Sequence, residues 1–239
     1  MGSTSLKKPS TALQVFHLKN NNGMSLSLTN FGGKIISLIV PDNKGRPGDV
    51  VLGYDSAQQY IKGNPYFGAT IGRYAGRVAF GKFSLDGKSH SLTINNGLHT
   101  LHGGPNGFHN VFWTEDPQLT TPQSVQLEYL SKDGEEGYPG NLLVRIRYSL
   151  TDDNELVLFY EATTDNATIL NLTHHSYFNL AGAGNGNILN HELMIDSDLF
   201  IPVDDGLIPI GEIRSVTGTP FDFRKSHRVG RDILQDDEN

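Results

Sequence analysis

The chain has 239 residues, 37% of them hydrophobic, and a formal net charge of −7. That apolar content suffices for one core in a single globular domain, and the acidic balance argues against a nucleic-acid partner, whose phosphates need a basic face. The absence of cysteine excludes a disulfide framework and thiolate chemistry.

Residues 1–12 read as a flexible N-terminal tail and residues 13–239 as the domain. No apolar signal segment follows Met1-Gly2-Ser3-Thr4-Ser5-Leu6-Lys7-Lys8, Leu6 breaks the myristoylation pattern, and no run reaches transmembrane length. The expectation is a cytoplasmic protein with no membrane partner. Period-two alternation predicts a half-buried strand at 25–29, and a more continuously apolar strand follows at 34–40. Asp42-Asn43-Lys44-Gly45 supplies turn chemistry. Asp55-Ser56-Ala57-Gln58-Gln59-Tyr60 is the one helical stretch, with Asp55 or Ser56 placed to cap it.

Gly72-Arg73-Tyr74-Ala75-Gly76-Arg77 sets two arginines among small residues. Either a guanidinium fork reaches a ligand hydroxyl or carboxylate there, or the segment is a tight turn with solvated arginines. A turn at Asp86-Gly87 follows. Asn95-Asn96-Gly97-Leu98-His99-Thr100-Leu101-His102-Gly103-Gly104-Pro105 ends a β-like run in a glycine-flanked histidine. Its imidazole has room for a ligand or donates to its own turn.

Strands recur at 124–130, 144–150 and 155–162, with turns at Asp133-Gly134 and Asp152-Asp153-Asn154. In the second of these, Val144, Ile146, Tyr148 and Leu150 share one face, while Arg145, Arg147 and Ser149 share the other. Asn171-Leu172-Thr173-His174-His175-Ser176-Tyr177-Phe178-Asn179-Leu180 then places two adjacent histidines beside hydroxyl and aromatic side chains. Neighbours on an extended chain point to opposite faces, so one of the pair enters a given pocket, and His174 reads as structural. For the same reason His99, His102, His174 and His175 do not make a metal site by spacing.

Tyr177, Phe178 and Trp113 can stack on a sugar ring or fill the core. His17, His90, His109, His191 and His227 lie outside these loops and carry no assigned role. After the glycine-rich stretch 181–186 a last strand is expected at 191–196. With 27 glycines and recurrent strands, the pattern is an all-β antiparallel sandwich. No phosphate loop, nucleophile elbow or dinucleotide fingerprint is present. What remains is proton transfer on a polyhydroxy ligand, which needs an acid and a base on opposite sides of one carbon.

Six segments are similar, in order, to the signatures of the aldose 1-epimerases, or galactose mutarotases. They are Pro65-Tyr66-Phe67-Gly68-Ala69-Thr70-Ile71-Gly72-Arg73, Ala75-Gly76-Arg77, Leu101-His102-Gly103-Gly104, residues 171–180, Ile208-Pro209-Ile210-Gly211-Glu212 and Thr219-Pro220-Phe221-Asp222-Phe223-Arg224. The resemblance implies a supersandwich whose concave face binds an aldohexose such as galactose or glucose, with no cofactor and no metal. It implies His175 as proton donor to the ring oxygen and a carboxylate as base on the C1 hydroxyl. His102, the second catalytic position, and Arg77 would hold sugar hydroxyls and polarise developing charge, with Gly76, Ser176 and Tyr177 in the same pocket.

Three departures accompany it. The family usually carries Asn at the positions of Gly76 and His174. Its glutamate base lies in a segment beyond Asn239, so the fold is expected to be incomplete at the C-terminus and the base missing from these residues. Glu212 and Asp222 are the substitute bases to weigh. An alternative from another class is a non-catalytic sugar-binding or regulatory protein that keeps Arg77, His102 and His175.

Overall fold

The structure is a computed structural model that describes residues 11–63 and 66–235. The expected tail at 1–12 falls, save Thr11 and Ala12, outside the described residues, as does Pro65. The chain divides into two compact units, Met1–Phe178 and Asn179–Asn239.

In the first unit, β1 (Val15–Lys19), β2 (Ser25–Thr29), β3 (Lys34–Pro41) and β4 (Pro47–Asp49) form an antiparallel sheet in chain order. The strand expected at 25–29 is β2, and β3 extends the expected 34–40 by one residue. The α-helix α1 (Gln59–Lys62) begins later than expected and takes no side-chain cap from Asp55 or Ser56. Instead the Gln59 side-chain Oε1 accepts the Ser56 N–H at 2.9 Å and its hydroxyl at 3.2 Å, which satisfies Ser56 ahead of the helix.

The short strands β5 (Thr70–Ile71), β6 (Arg77–Val78), β7 (Lys82–Leu85), β8 (Lys88–Ser91) and β9 (Thr100–Leu101) follow. β7 and β8 form a hairpin whose Asp86 and Gly87 have φ of 50° and 75°, the paired left-handed residues that match the twist of a two-residue turn. The second large sheet runs β10 (Thr114–Glu115), β11 (Ser124–Ser131), β12 (Leu142–Leu150) and β13 (Leu156–Thr164), all antiparallel. β14 (Thr173–His174) pairs with β5.

The alternation expected in β12 is present: Val144, Ile146, Tyr148 and Leu150 are buried. They share one apolar cluster with Leu18, Leu26, Leu28 and Ile35 of β1–β3. Burying each large side chain contributes roughly 1.5–3 kcal/mol, so this inter-sheet layer holds the unit together as the antiparallel sandwich the sequence predicts. Trp113 is wholly buried in the same cluster, and so is core rather than a sugar platform.

In the second unit, β15 (Glu192–Leu193) pairs with β18 (His227–Arg228), and β16 (Leu199–Phe200) pairs with β17 (Arg214–Ser215). The strand expected at 191–196 is therefore reduced to two residues. Its apolar Met194 and Ile195 are exposed, so no packed face rewards a longer pairing. Among the described residues no helix is long and apolar enough to cross a membrane.

Candidate active site

Residues 70–78 form a spine to which both histidine-bearing segments hydrogen-bond. On one stretch β5 pairs with β14, Thr173 opposite Ile71 and His174 opposite Thr70. Asn171 continues the pairing: its N–H donates to the Arg73 carbonyl at 2.9 Å, and its own carbonyl accepts the Ala75 N–H at 2.8 Å. Further along, β6 pairs with β9, Arg77 opposite Leu101, which delivers His102 beside Gly76.

The period of the strand separates the tandem histidines. His174 donates from Nε2 to the Gly33 carbonyl at 3.4 Å and accepts the Ser176 hydroxyl at Nδ1, 3.2 Å. Its ring meets the buried Tyr148 edge-on, 6.0 Å between centroids. Burial pushes its pKa down to about 4, so this imidazole is an uncharged strut. His175 takes the opposite face, its ring centroid 5.2 Å from His102 and 5.1 Å from Tyr177. The Ser176 hydroxyl, expected in the sugar pocket, is engaged by His174.

His102 has φ 54°, a left-handed backbone uncommon outside glycine that persists where neighbours over-determine it. The determinant is a reciprocal pair: His102 donates its N–H to the Gly76 carbonyl at 2.9 Å, and Gly76 donates its N–H to His102 Nδ1 at 3.0 Å. A backbone N–H can only donate, so Nδ1 accepts and the proton of the neutral ring sits on Nε2. Burial first, then the charges of His175 and Arg77, push the His102 pKa down to about 4. Near neutral pH His102 is thus a fixed Nε2–H donor. The following Gly103 is required, because a Cβ there would collide with the Gly72 carbonyl.

The two arginines of 72–77 have different fates. Arg73 is buried and donates to Ser131 Oγ at 2.8 Å and to the carbonyls of Pro139, Ser131 and Lys132 at 3.0, 3.0 and 2.9 Å. It ties the spine to the β11–β12 connection and is neither a ligand fork nor solvated. Arg77 is half-buried, and its Nε donates to Asn96 Oδ1 at 3.1 Å. Among the described residues its two Nη groups make no further hydrogen bond, which leaves four N–H donors for a ligand. At Gly76 no atom stands within 4 Å of where a Cβ would be, so the backbone there is open to a bound molecule.

The arrangement combines neutral and cationic donors, His102 and Arg77, with a second imidazole, His175, and the ring of Tyr177, which is 46% exposed. It suits a ligand with several hydroxyls and an apolar face. No group of three or more His, Cys, Asp or Glu side chains among the described residues could hold a metal ion. Sequence reasoning assigned no role to Tyr66, Asn96 or His109. Tyr66 sits in the 65–73 signature and Asn96 in an Asn-Gly turn, but neither contact partner is near in sequence.

The aldose 1-epimerase family model matches residues 14–238. Galactose mutarotase of Bos taurus is 48% identical over 223 residues, covering 93% of this chain and 64% of that protein. An aldose epimerase homologue from C. elegans superposes with a TM-score of 0.86 at 36% identity, over 91% of this chain and 66% of that one. Galactose 1-epimerase from Lactobacillus acidophilus does so with a TM-score of 0.82 at 30% identity, over 97% and 70% of the two chains. The chain therefore spans less than two thirds of the Bos taurus protein it matches. With the family model matched over residues 14–238 and a relative 48% identical over 93% of this chain, the chain belongs to the aldose 1-epimerase family.

Proposed function

We propose that this chain carries the acid side of an aldose 1-epimerase, or galactose mutarotase, which interconverts the α and β anomers of galactose and glucose. It works in the cytoplasm without a cofactor and has no nucleic-acid or membrane partner. The observation that carries this reading is the convergence of His175, His102 and Arg77 along one spine.

His175 gives a proton to the ring oxygen while a carboxylate takes the proton of the C1 hydroxyl. The bond between C1 and the ring oxygen breaks, C1 rotates in the open aldehyde, and reclosure on the other face returns both protons. His102 Nε2–H and the Arg77 Nη groups hold hydroxyls and offset charge as it develops. Tyr177 lies against the sugar, Gly76 leaves it room, and Ser176 steadies His174 behind the acid.

Among the described residues, no hydrogen bond or ion pair joins a carboxylate to His102, His175 or Arg77. Arg224 holds Asp222 down to about 2, which makes it a weak base, and Glu212 pairs with Arg214 at 2.9 Å. The base is assigned by resemblance to the family's glutamate.

Two measurements separate binding from turnover. Adding galactose should move the His102 and His175 C2–H proton resonances, and the absence of any such movement overturns the reading. Where the protein accelerates anomer exchange of freshly dissolved α-D-galactose, followed by polarimetry, that rate should fall roughly 10²–10⁴-fold in His175→Ala. An unchanged rate in that variant removes His175 from the mechanism, whereas sugar-induced shifts without any acceleration favour the sugar-binding alternative.

A further inference from the structure

Tyr66 is in ring contact with three histidines. Its centroid lies 5.0 Å from His102 at 77°, 4.9 Å from His109 at 59°, and 5.8 Å from His175, nearly parallel at 24°. His109 is a rigid floor, buried in the 3-10 turn Phe108–Asn110. A Cβ added at Gly32 would collide with the His109 carbonyl, and one at Gly107 would stand 3.1 Å from its Nδ1, so the surrounding backbone leaves it no slack.

His175 is the opposite case. Among the described residues its imidazole makes no hydrogen bond, so nothing but packing fixes its χ2, a torsion with broad minima. His102 is tied through Nδ1 alone. The two rings reach each other from different chain segments and meet at 81°. Tyr66 is the side chain that touches both and also the floor. Burial raises its pKa, so it stays an uncharged phenol.

We propose that Tyr66 is a positioning residue for the ring-opening reaction: braced on His109, its ring sets the planes of His175 and His102 so that both face one ligand. The inference rests on the proposed function for the reaction served, while the placement itself stands on the ring geometry. The aromatic ring carries the role, so Tyr66→Phe should preserve it and Tyr66→Leu should abolish it.

In the unaltered chain, nuclear Overhauser contacts are expected between the Tyr66 ring protons and the imidazole protons of His175 and His102, and their absence overturns the proposal. Tyr66→Leu should move the C2–H resonances of both histidines through loss of the ring current. His90, stacked on Phe83 at 5.0 Å, should not move. Tyr66→Phe should return both resonances close to their original positions.

Where turnover is measurable, Tyr66→Leu should lower kcat by about 10²-fold with a smaller change in KM, the effect of a misplaced reacting group. Unmoved His102 and His175 resonances, or an unchanged kcat, refute the role. Should Tyr66→Leu unfold the chain, as loss of the His90 stacking shift reports, Tyr66→Met fills the gap without a ring and carries the same comparison. If no form accelerates anomer exchange while the ring contacts hold, the mutarotase reading fails and the placement of the imidazoles by Tyr66 survives it.

Discussion

His102, His109 and His174 are each pushed down to about 4, burial being the largest cause in every case. An unfolded histidine titrates near 6.5, so between about pH 4 and pH 6.5 the unfolded chain binds up to three more protons than the folded one. Stability from these groups is complete above roughly pH 6.5 and is lost as pH falls toward 4. His109 is the clearest reporter, because its buried Nδ1 has no hydrogen-bond partner among the described residues. His109→Phe should leave the Tm at pH 7 nearly unchanged and reduce its fall between pH 6.5 and 4.5 by close to one proton's worth, followed by thermal unfolding across that range. An identical pH slope in the variant would refute the assignment. At this scale the sequence displayed residue types, and the family resemblance singled out His102, His175 and Arg77 as candidates. It could not display partners, so Tyr66 against His109 and Asn96 behind Arg77 were not.

Strands announced themselves through period two, or for β3 through a more continuously apolar run, and β2, β3, β11, β12 and β13 lie within two residues of where those patterns put them. Elements whose length depends on a neighbour were misjudged. α1 starts late because Gln59, Tyr60 and Ile61 donate three residues back, to Ser56, Ala57 and Gln58, so the turns ahead of it are not α-helical, and β15 is short because Met194 and Ile195 have no packed face. The same blindness made Arg73 and Arg77 look alike, four residues apart in one glycine-rich segment. Tyr148 joins the sandwich to the site. Its hydroxyl donates to the Gly33 carbonyl at 2.7 Å and contacts Thr70 Oγ1 at 2.9 Å, directly behind β5. Tyr148→Phe leaves the buried Thr70 hydroxyl unpaired and the Gly33 carbonyl with His174 alone, and should cost about 1–3 kcal/mol, read as a lower urea midpoint with an unchanged m value. A midpoint equal to that of the unaltered chain would mean that this network contributes nothing to stability.

Within the first unit, among the described residues, β13 is the outer strand of its sheet and exposes Val157 (43%) and Phe159 (60%). An apolar outer strand is a template for pairing with another chain. Sedimentation velocity should show concentration-dependent self-association that Phe159→Lys reduces. Association of equal strength in the lysine variant would move the contact elsewhere, to apolar side chains such as Leu180, 75% exposed in the second unit. The spine at 70–78 has a thermodynamic consequence of its own. A sugar held by Arg77, His102 and His175 would rivet three stretches of chain that are brought together by folding alone, so its affinity for the unfolded chain is nil. Saturating ligand would then add its binding free energy to the folding free energy, about 2.7 kcal/mol at a hundred times Kd, and a bound sugar would double as a folding ligand of the unit that holds it.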